Sequence, residues 1–255
     1  MPSNFRQEIQ RAITPSALRH DMFRLLIGFV ILATCTSCAQ QEVRPSTDDQ
    51  EFLQVALLHE AYDLIHTGDP ARAIEEFIDP VLSDFSGLYD DEETQYYCAR
   101  DSAESLLYLV MAASEEQSAV VLSSTWADAH FLKGFALVEL GRFAEARQSL
   151  EQAVALSPQN SQYVSELGHT FQAEERWLEA LEVFERSEKM AQAFSPDDAK
   201  AFELGVARRS AGYVLVELGR LDEAEEKYLQ CLEDDPDDEM ARSELEYVRN
   251  LKLAE

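Results

Sequence analysis

The chain has 255 residues, with 49 acidic against 21 basic, for a formal charge of −28 at neutral pH. A surface this acidic repels phosphate backbones and anionic headgroups, which excludes nucleic acid as a natural partner and favours solubility. At 46% hydrophobic residues the length suffices for one or two ordinary domains, or for a stack of small units.

Arg24 precedes an apolar run from Leu25 to about Cys35, and small residues follow. That order is the layout of a secretory leader; the run is short for a bilayer span, and no other stretch of the sequence qualifies. The lead-in before Met22 is long for a leader, so Met1 and Met22 are both candidate starts. The end of the run, Thr36-Ser37-Cys38-Ala39, resembles a bacterial lipoprotein signal, in which a small residue precedes the cysteine that is lipidated. The resemblance implies modification of Cys38 at the end of a 1–38 signal segment. Cys35, standing where Leu is usual, is the competing site through Leu32-Ala33-Thr34-Cys35. A plain cleaved leader and an uncleaved inner-membrane anchor are the other readings. Cys35 and Cys38 also have the spacing of a redox dithiol, but their place at the end of a leader speaks against it. The lipoprotein reading implies a periplasm-facing protein of the bacterial cell envelope, with Ala39 rather than Asp after the cysteine pointing to the outer membrane. Residues 39–50 are polar and aperiodic and read as a flexible linker.

Residues 51–125 read as divergent helical hairpins. Val55–Val81 holds Ala61, Leu64, Gly68, Ala73 and Phe77 at offsets that return more plainly downstream. Glu92–Met111 is apolar-striped through Tyr97, Ala99, Leu106, Leu107 and Val110 and predicts one long helix; Glu115–Leu122 reads as the end of another. From 126 to 237 the spacing is regular. Gly134, Gly168 and Gly212 are each followed by an alanine twelve residues on (Ala146, Ala180, Ala224) and a bulky residue four further (Leu150, Phe184, Tyr228). The copies span 127–160, 161–194 and 205–237, and the first two repeat at 34 residues. Ser195-Pro196-Asp197-Asp198 predicts a capped start for a longer helix near 196–217. Residues 238–255 form an amphipathic helix (Met240, Leu245, Val248, Leu251) fit to close the stack. No stretch alternates at period two for a strand's length, so no sheet is expected.

This skeleton resembles the tetratricopeptide repeat. The best copy, 127–160, carries Gly134, Leu137, Gly141, Ala146, Leu150, Ala153 and Pro158 at the family's spacing, and departs at His130 and Lys133, where Trp and Leu are commonest. The resemblance implies an all-α, right-handed superhelical solenoid of antiparallel helix pairs, five hairpins in all, with a C-terminal capping helix. It also implies a concave groove for a protein or peptide client, lined by the first helix of each pair. Carried over copy by copy, the partner-groove positions are Phe131, Phe135, Val138 and Glu139, then Ser165, His169 and Gln172, then Arg209, Tyr213, Val216 and Glu217. Arg209 is the one clear cation among them. The competing reading is that Phe131 and Phe135 pack on the upstream hairpin. The Lys/Asn clamp that some such grooves use for an acidic C-terminus is absent, since Phe131, Phe135, Ser165 and His169 stand in its place; a heat-shock co-chaperone is disfavoured.

Little chemistry is spaced for catalysis. His59 and His66 lie on one helix face without further ligands, Cys98 and Cys231 read as inert thiols, and the acid runs Asp90–Glu93 and Glu233–Glu239 lack the pattern of a calcium loop. No metal, cofactor or catalytic residue is expected. The sequence reads as a non-enzymatic scaffold or adaptor of the envelope. The alternatives are a structural subunit of a secretion, pilus or outer-membrane machine, and an accessory to a periplasmic enzyme or such an enzyme itself; the oligomeric state is left open.

Overall fold

The computed structural model describes residues 47–89, 91 and 93–254. The leader, Met22, Cys35, Cys38 and most of the expected linker lie outside the described residues. Thr47–Gln50, expected as the end of that linker, are instead the first turn of α1 (Thr47–Thr67).

Helix α1 turns at Gly68 into α2 (Pro70–Ala73), a π-helical turn (Ile74–Ile78) and α3 (Asp79–Leu88), which follow one another without a break. The π turn carries one extra residue, which shifts every later side chain around the helix. Phe77, expected at the inward crossing position, is therefore only half-buried, while Ile78 is fully buried.

The next segment corrects the sequence reading. Residues 93–122 are not helical throughout: β1 (Thr94–Ala99) and β2 (Ser118–Ser123) pair in parallel, Thr94 beside Ser118 through Ala99 beside Ser123, with α4 (Ser102–Ser114) between them. The 51–125 block thus holds one helical hairpin and one β-α-β unit. One side of the sheet (Tyr97, Ala99, Ala119, Val121) packs on Tyr108, Met111 and Ala112 of α4, with the Tyr97 and Tyr108 rings stacked at 5.0 Å. The other side is anchored by Cys98, whose carbonyl accepts a 2.6 Å hydrogen bond from Ser157 Oγ. The helix expected over 92–111 fails at its N-terminal side because Asp101 caps a fresh helix: its carboxylate accepts from Glu104 N–H at 2.8 Å.

The regular array follows as α5 (Thr125–Glu139), α6 (Phe143–Leu156), α7 (Ser161–Ala173), α8 (Trp177–Phe194), α9 (Asp197–Glu217), α10 (Leu221–Asp234) and α11 (Glu239–Ala254). The three glycines are small because the second helix of each pair crosses there. A Cβ on Gly134 would stand 2.5 Å from Leu150 Cγ, on Gly168 2.6 Å from the Phe184 ring, and on Gly212 2.8 Å from the Tyr228 ring. Ala146, Ala180 and Ala224 are completely buried at the same crossings. Each hairpin turns through one motif: Arg142, Arg176 and Arg220 N–H reach back to the carbonyls of Leu137, Phe171 and Leu215 at 2.8–3.0 Å. The residue before each arginine is left-handed, with φ of +72° at Gly141 and +71° at Gly219; in the middle copy Glu175 holds φ +57° without glycine's freedom.

Between the second and third copies the extra residues lengthen the helices. Helix α8 has 18 residues and α9 has 21, against 14 in α6 and 15 in α5. Helix α9 starts one residue later than expected. Pro196 is its cap position and Ser195, expected to cap it, donates to the Glu203 carboxylate instead. Ser161 donates to the same carboxylate, and Arg100 Nη1 reaches it at 2.8 Å from 103 residues upstream. Arg100 also meets Glu104 at 3.1 Å, and Tyr108 OH donates to Glu104 at 2.7 Å. This buried polar network joins the β-α-β unit to the third copy. Helix α11 closes the stack with Ala241, Leu245 and Val248 in the core shared with Tyr228 and Cys231.

Candidate partner-binding face

The groove positions of the first copy are filled by the protein itself. Phe131, Phe135 and Val138 are buried. The Phe131 ring packs 5.2 Å from Tyr163 of the next copy, and Phe135 lies 6.2 Å from His66 of α1, so the upstream hairpin covers this end, as the competing reading held for Phe135. Ser165 is buried as well, its hydroxyl 2.7 Å from that of Ser187. These four side chains serve the core and not a ligand. Arg209 is also corrected. Its guanidinium is ion-paired with Asp238, whose other oxygen accepts from Ala241 N–H at 2.9 Å and caps α11. The one clear cation of the groove set is thus a strut that seats the capping helix.

His169 and Glu139 are half-buried. The His169 ring meets Phe184 edge-on at 5.0 Å and its Nδ1 lies 3.3 Å from Gln172 Oε1. Burial pushes the imidazole pKa down to about 4, so it is neutral at physiological pH.

The open part of the face is in the third copy. Tyr213 is 39% exposed, with half-buried Val216 and exposed Glu217 on the turn beyond it. Trp177 stands edge-on to the Tyr213 ring at 6.3 Å. Glu217, Glu244 and Glu175 lie close enough to act on the phenol; desolvation first, then these carboxylates, raise its pKa. Burial raises the Glu244 pKa in turn. The arrangement is an aromatic surface ringed by acids, suited to a basic or neutral side chain. Carrying positions from copy to copy missed Trp177, Glu175 and Glu244, because they come from a neighbouring helix, a turn and the cap rather than from the first helix of a pair.

Elsewhere, the Cys98 and Cys231 thiols are buried, and burial pushes each pKa up to about 12. His66 Nδ1 lies 2.9 Å from the Tyr62 carbonyl, and His59 is exposed. Among the described residues no group of three or more His, Cys, Asp or Glu side chains could hold a metal ion, and no helix is long and apolar enough to cross a membrane.

Two profiles of the tetratricopeptide repeat match the chain, one over residues 127–160 and one over 165–239. This block therefore carries tetratricopeptide repeats, which are generally protein–protein interaction modules. No curated protein matches the chain in sequence. Among solved structures, the first such domain of Spaghetti (RPAP3), bound to the HSP90 peptide SRMEEVD, is 19% identical and covers 52% of this chain and 98% of its own, with a TM-score of 0.45. The OM64 domain of Arabidopsis is 17% identical over 49% of this chain and 94% of its own, TM-score 0.42. MamA is 18% identical over 74% of this chain and 82% of its own, TM-score 0.46.

Proposed function

We propose that the chain is a non-enzymatic adaptor tethered to a membrane of the bacterial cell envelope, which holds a basic or neutral segment of a client protein against the Tyr213 face. The observation that supports this best is the exposed Tyr213 ring beside Trp177, with Glu217, Glu175 and Glu244 about it, on an array whose first-copy positions Phe131, Phe135 and Val138 are buried. An aromatic anchor supplies affinity, and the acidic ring selects against acidic clients. The tether rests on Thr36-Ser37-Cys38-Ala39: a lipid on Cys38 would confine the repeats to a surface and raise their effective concentration for a client there, without any new contact.

The test has two arms. Crosslinking and affinity capture from the envelope compare wild type with Tyr213→Ala and Glu217→Lys, both at open positions where folding is expected to survive. A client present with wild type and lost with both variants is the expected result; an identical partner set for three folded proteins sinks the groove reading. In the second arm, radiolabelled palmitate is expected in wild type and Cys35→Ser but not in Cys38→Ser, and label absent from wild type removes the tether.

A further inference from the structure

We propose that the outer edge of β2 and the outward face of α4 form a self-association surface, on which a second copy of this chain pairs its β2 antiparallel to the first. The β-α-β unit is unusual in what it leaves uncovered. Parallel strands are ordinarily buried on both faces within larger sheets, and a lone pair of strands is marginal in water. Among the described residues the sheet stops at two strands, and no backbone group pairs with the side of β2 away from β1.

Exposed strand edges are normally guarded by charge, proline or a bulge. Ser118-Ala119-Val120-Val121-Leu122-Ser123 has none of these, and its register with β1 is unbroken. Val120, on the side of the sheet opposite α4, is 41% exposed. Helix α4 is apolar on both sides: Tyr108 and Ala112 face the sheet, whereas Leu106, Leu109 and Val110 point outward at 63%, 45% and 57% exposure. Glu115 and Glu116 are the only charged residues between Ser105 and Ala127, in a chain that is 27% charged.

That distribution selects the occupant. Two chains of charge −28 repel one another over most of their surface, and this strip, charged only at Glu115 and Glu116, is a place where they can meet at little electrostatic cost. A two-fold axis normal to the sheet would turn two strands into four and set both α4 helices on the same side of it. In the symmetric register centred on Val120, the two Val120 side chains stand directly opposite, about 5 Å apart between Cα atoms.

The experiment uses the full chain in mild detergent. Sedimentation velocity over a concentration series compares wild type with Val120→Glu and Leu109→Glu, which alter exposed side chains and are checked for native circular dichroism. Each substitution enters a two-fold interface twice, and like charges set opposite are destabilising; the dimer dissociation constant is expected to rise roughly 10-fold or more for Val120→Glu. In parallel, Val120→Cys under mild oxidation is expected to give covalent dimer beyond that of wild type, whereas Leu253→Cys, exposed on the capping helix, is not. A wild-type chain that stays monomeric overturns the proposal and leaves the edge to a strand of another protein. Association unchanged in both glutamate variants, with no extra crosslink at Val120→Cys, overturns it equally.

Discussion

Arg100→Met tests whether the polar network between the β-α-β unit and the third repeat holds the two together. The guanidinium is 19% exposed, and its partners Glu104 and Glu203 are more buried still. Methionine keeps much of the volume but leaves two buried carboxylates without their cation. Removing one partner of a buried pair costs about 3–5 kcal/mol. In a domain of this size that is on the order of 6–20 °C in melting temperature. The remaining hydrogen bonds from Ser161, Ser195 and Tyr108 hold the loss near the lower figure. The two tryptophans provide the assay, because Trp126 sits on α5 against Phe85, Tyr89 and Tyr96, and Trp177 opens α8. Urea titrations read by Trp126 in a Trp177→Phe background, and the reverse, should coincide in wild type and separate in the variant, with the Trp126 side unfolding first. Adding Glu104→Gln and Glu203→Gln to Arg100→Met should recover at least half of the loss, since the stranded charges are then gone. A loss below about 1 kcal/mol, or no recovery on neutralisation, refutes the reasoning.

The remaining expectations are more local. Gly168→Ala places a methyl 2.6 Å from the Phe184 ring and should cost about 1–3 kcal/mol in chemical denaturation, most of it returned by adding Phe184→Leu; equal stability of Gly168→Ala and wild type refutes the crossing. Glu175→Gly removes a left-handed non-glycine residue and should stabilise by about 1 kcal/mol, whereas Gly141→Ala and Gly219→Ala should destabilise by a similar amount in the same assay. His130 and His169 are half-buried, and desolvation pushes their pKa values down to about 4, so the unfolded chain binds more protons than the folded one between the usual histidine value and pH 4. Stability should therefore fall as pH drops through that window, and a His130→Gln/His169→Gln protein should show a shallower fall; parallel pH profiles would contradict the assignment.

The repeat array was legible because its signals are steric and local. Glycine, alanine and a large residue at fixed offsets report one helix crossing another, and the structure sets Gly134, Gly168 and Gly212 against Leu150, Phe184 and Tyr228. The β-α-β unit was not, since Thr94–Ala99 is a short strand whose buried half, Tyr97-Cys98-Ala99, runs apolar without alternation and imitates a turn of buried helix. One signal was there to be used: Asp101 and Glu104 have the spacing of a helix start, and a start at 102 rules out a helix running through from 92. The inner face was half legible. Positions could be transferred between copies, but which of them stay open depends on what neighbouring elements cover. Phe135 under His66 and Arg209 against Asp238 are contacts of tertiary origin that no spacing within a repeat encodes.

Repeat arrays ordinarily tolerate the gain or loss of a unit, because each touches only its neighbours and the ends are free to move apart. The long α9 removes that freedom here. Its first turns place Glu203 where Arg100, Ser161 and Ser195 all reach it, so a residue upstream of the array, one at the start of α7 and one between α8 and α9 converge on one carboxylate. A unit spliced in after residue 160 would carry Glu203 out of reach of Arg100, leaving Arg100 with Glu104 alone and Glu203 without its cation. The number of repeats between the β-α-β unit and α9 is therefore held by a bond as well as by the stacking, and lengthening the array on that side costs the bond.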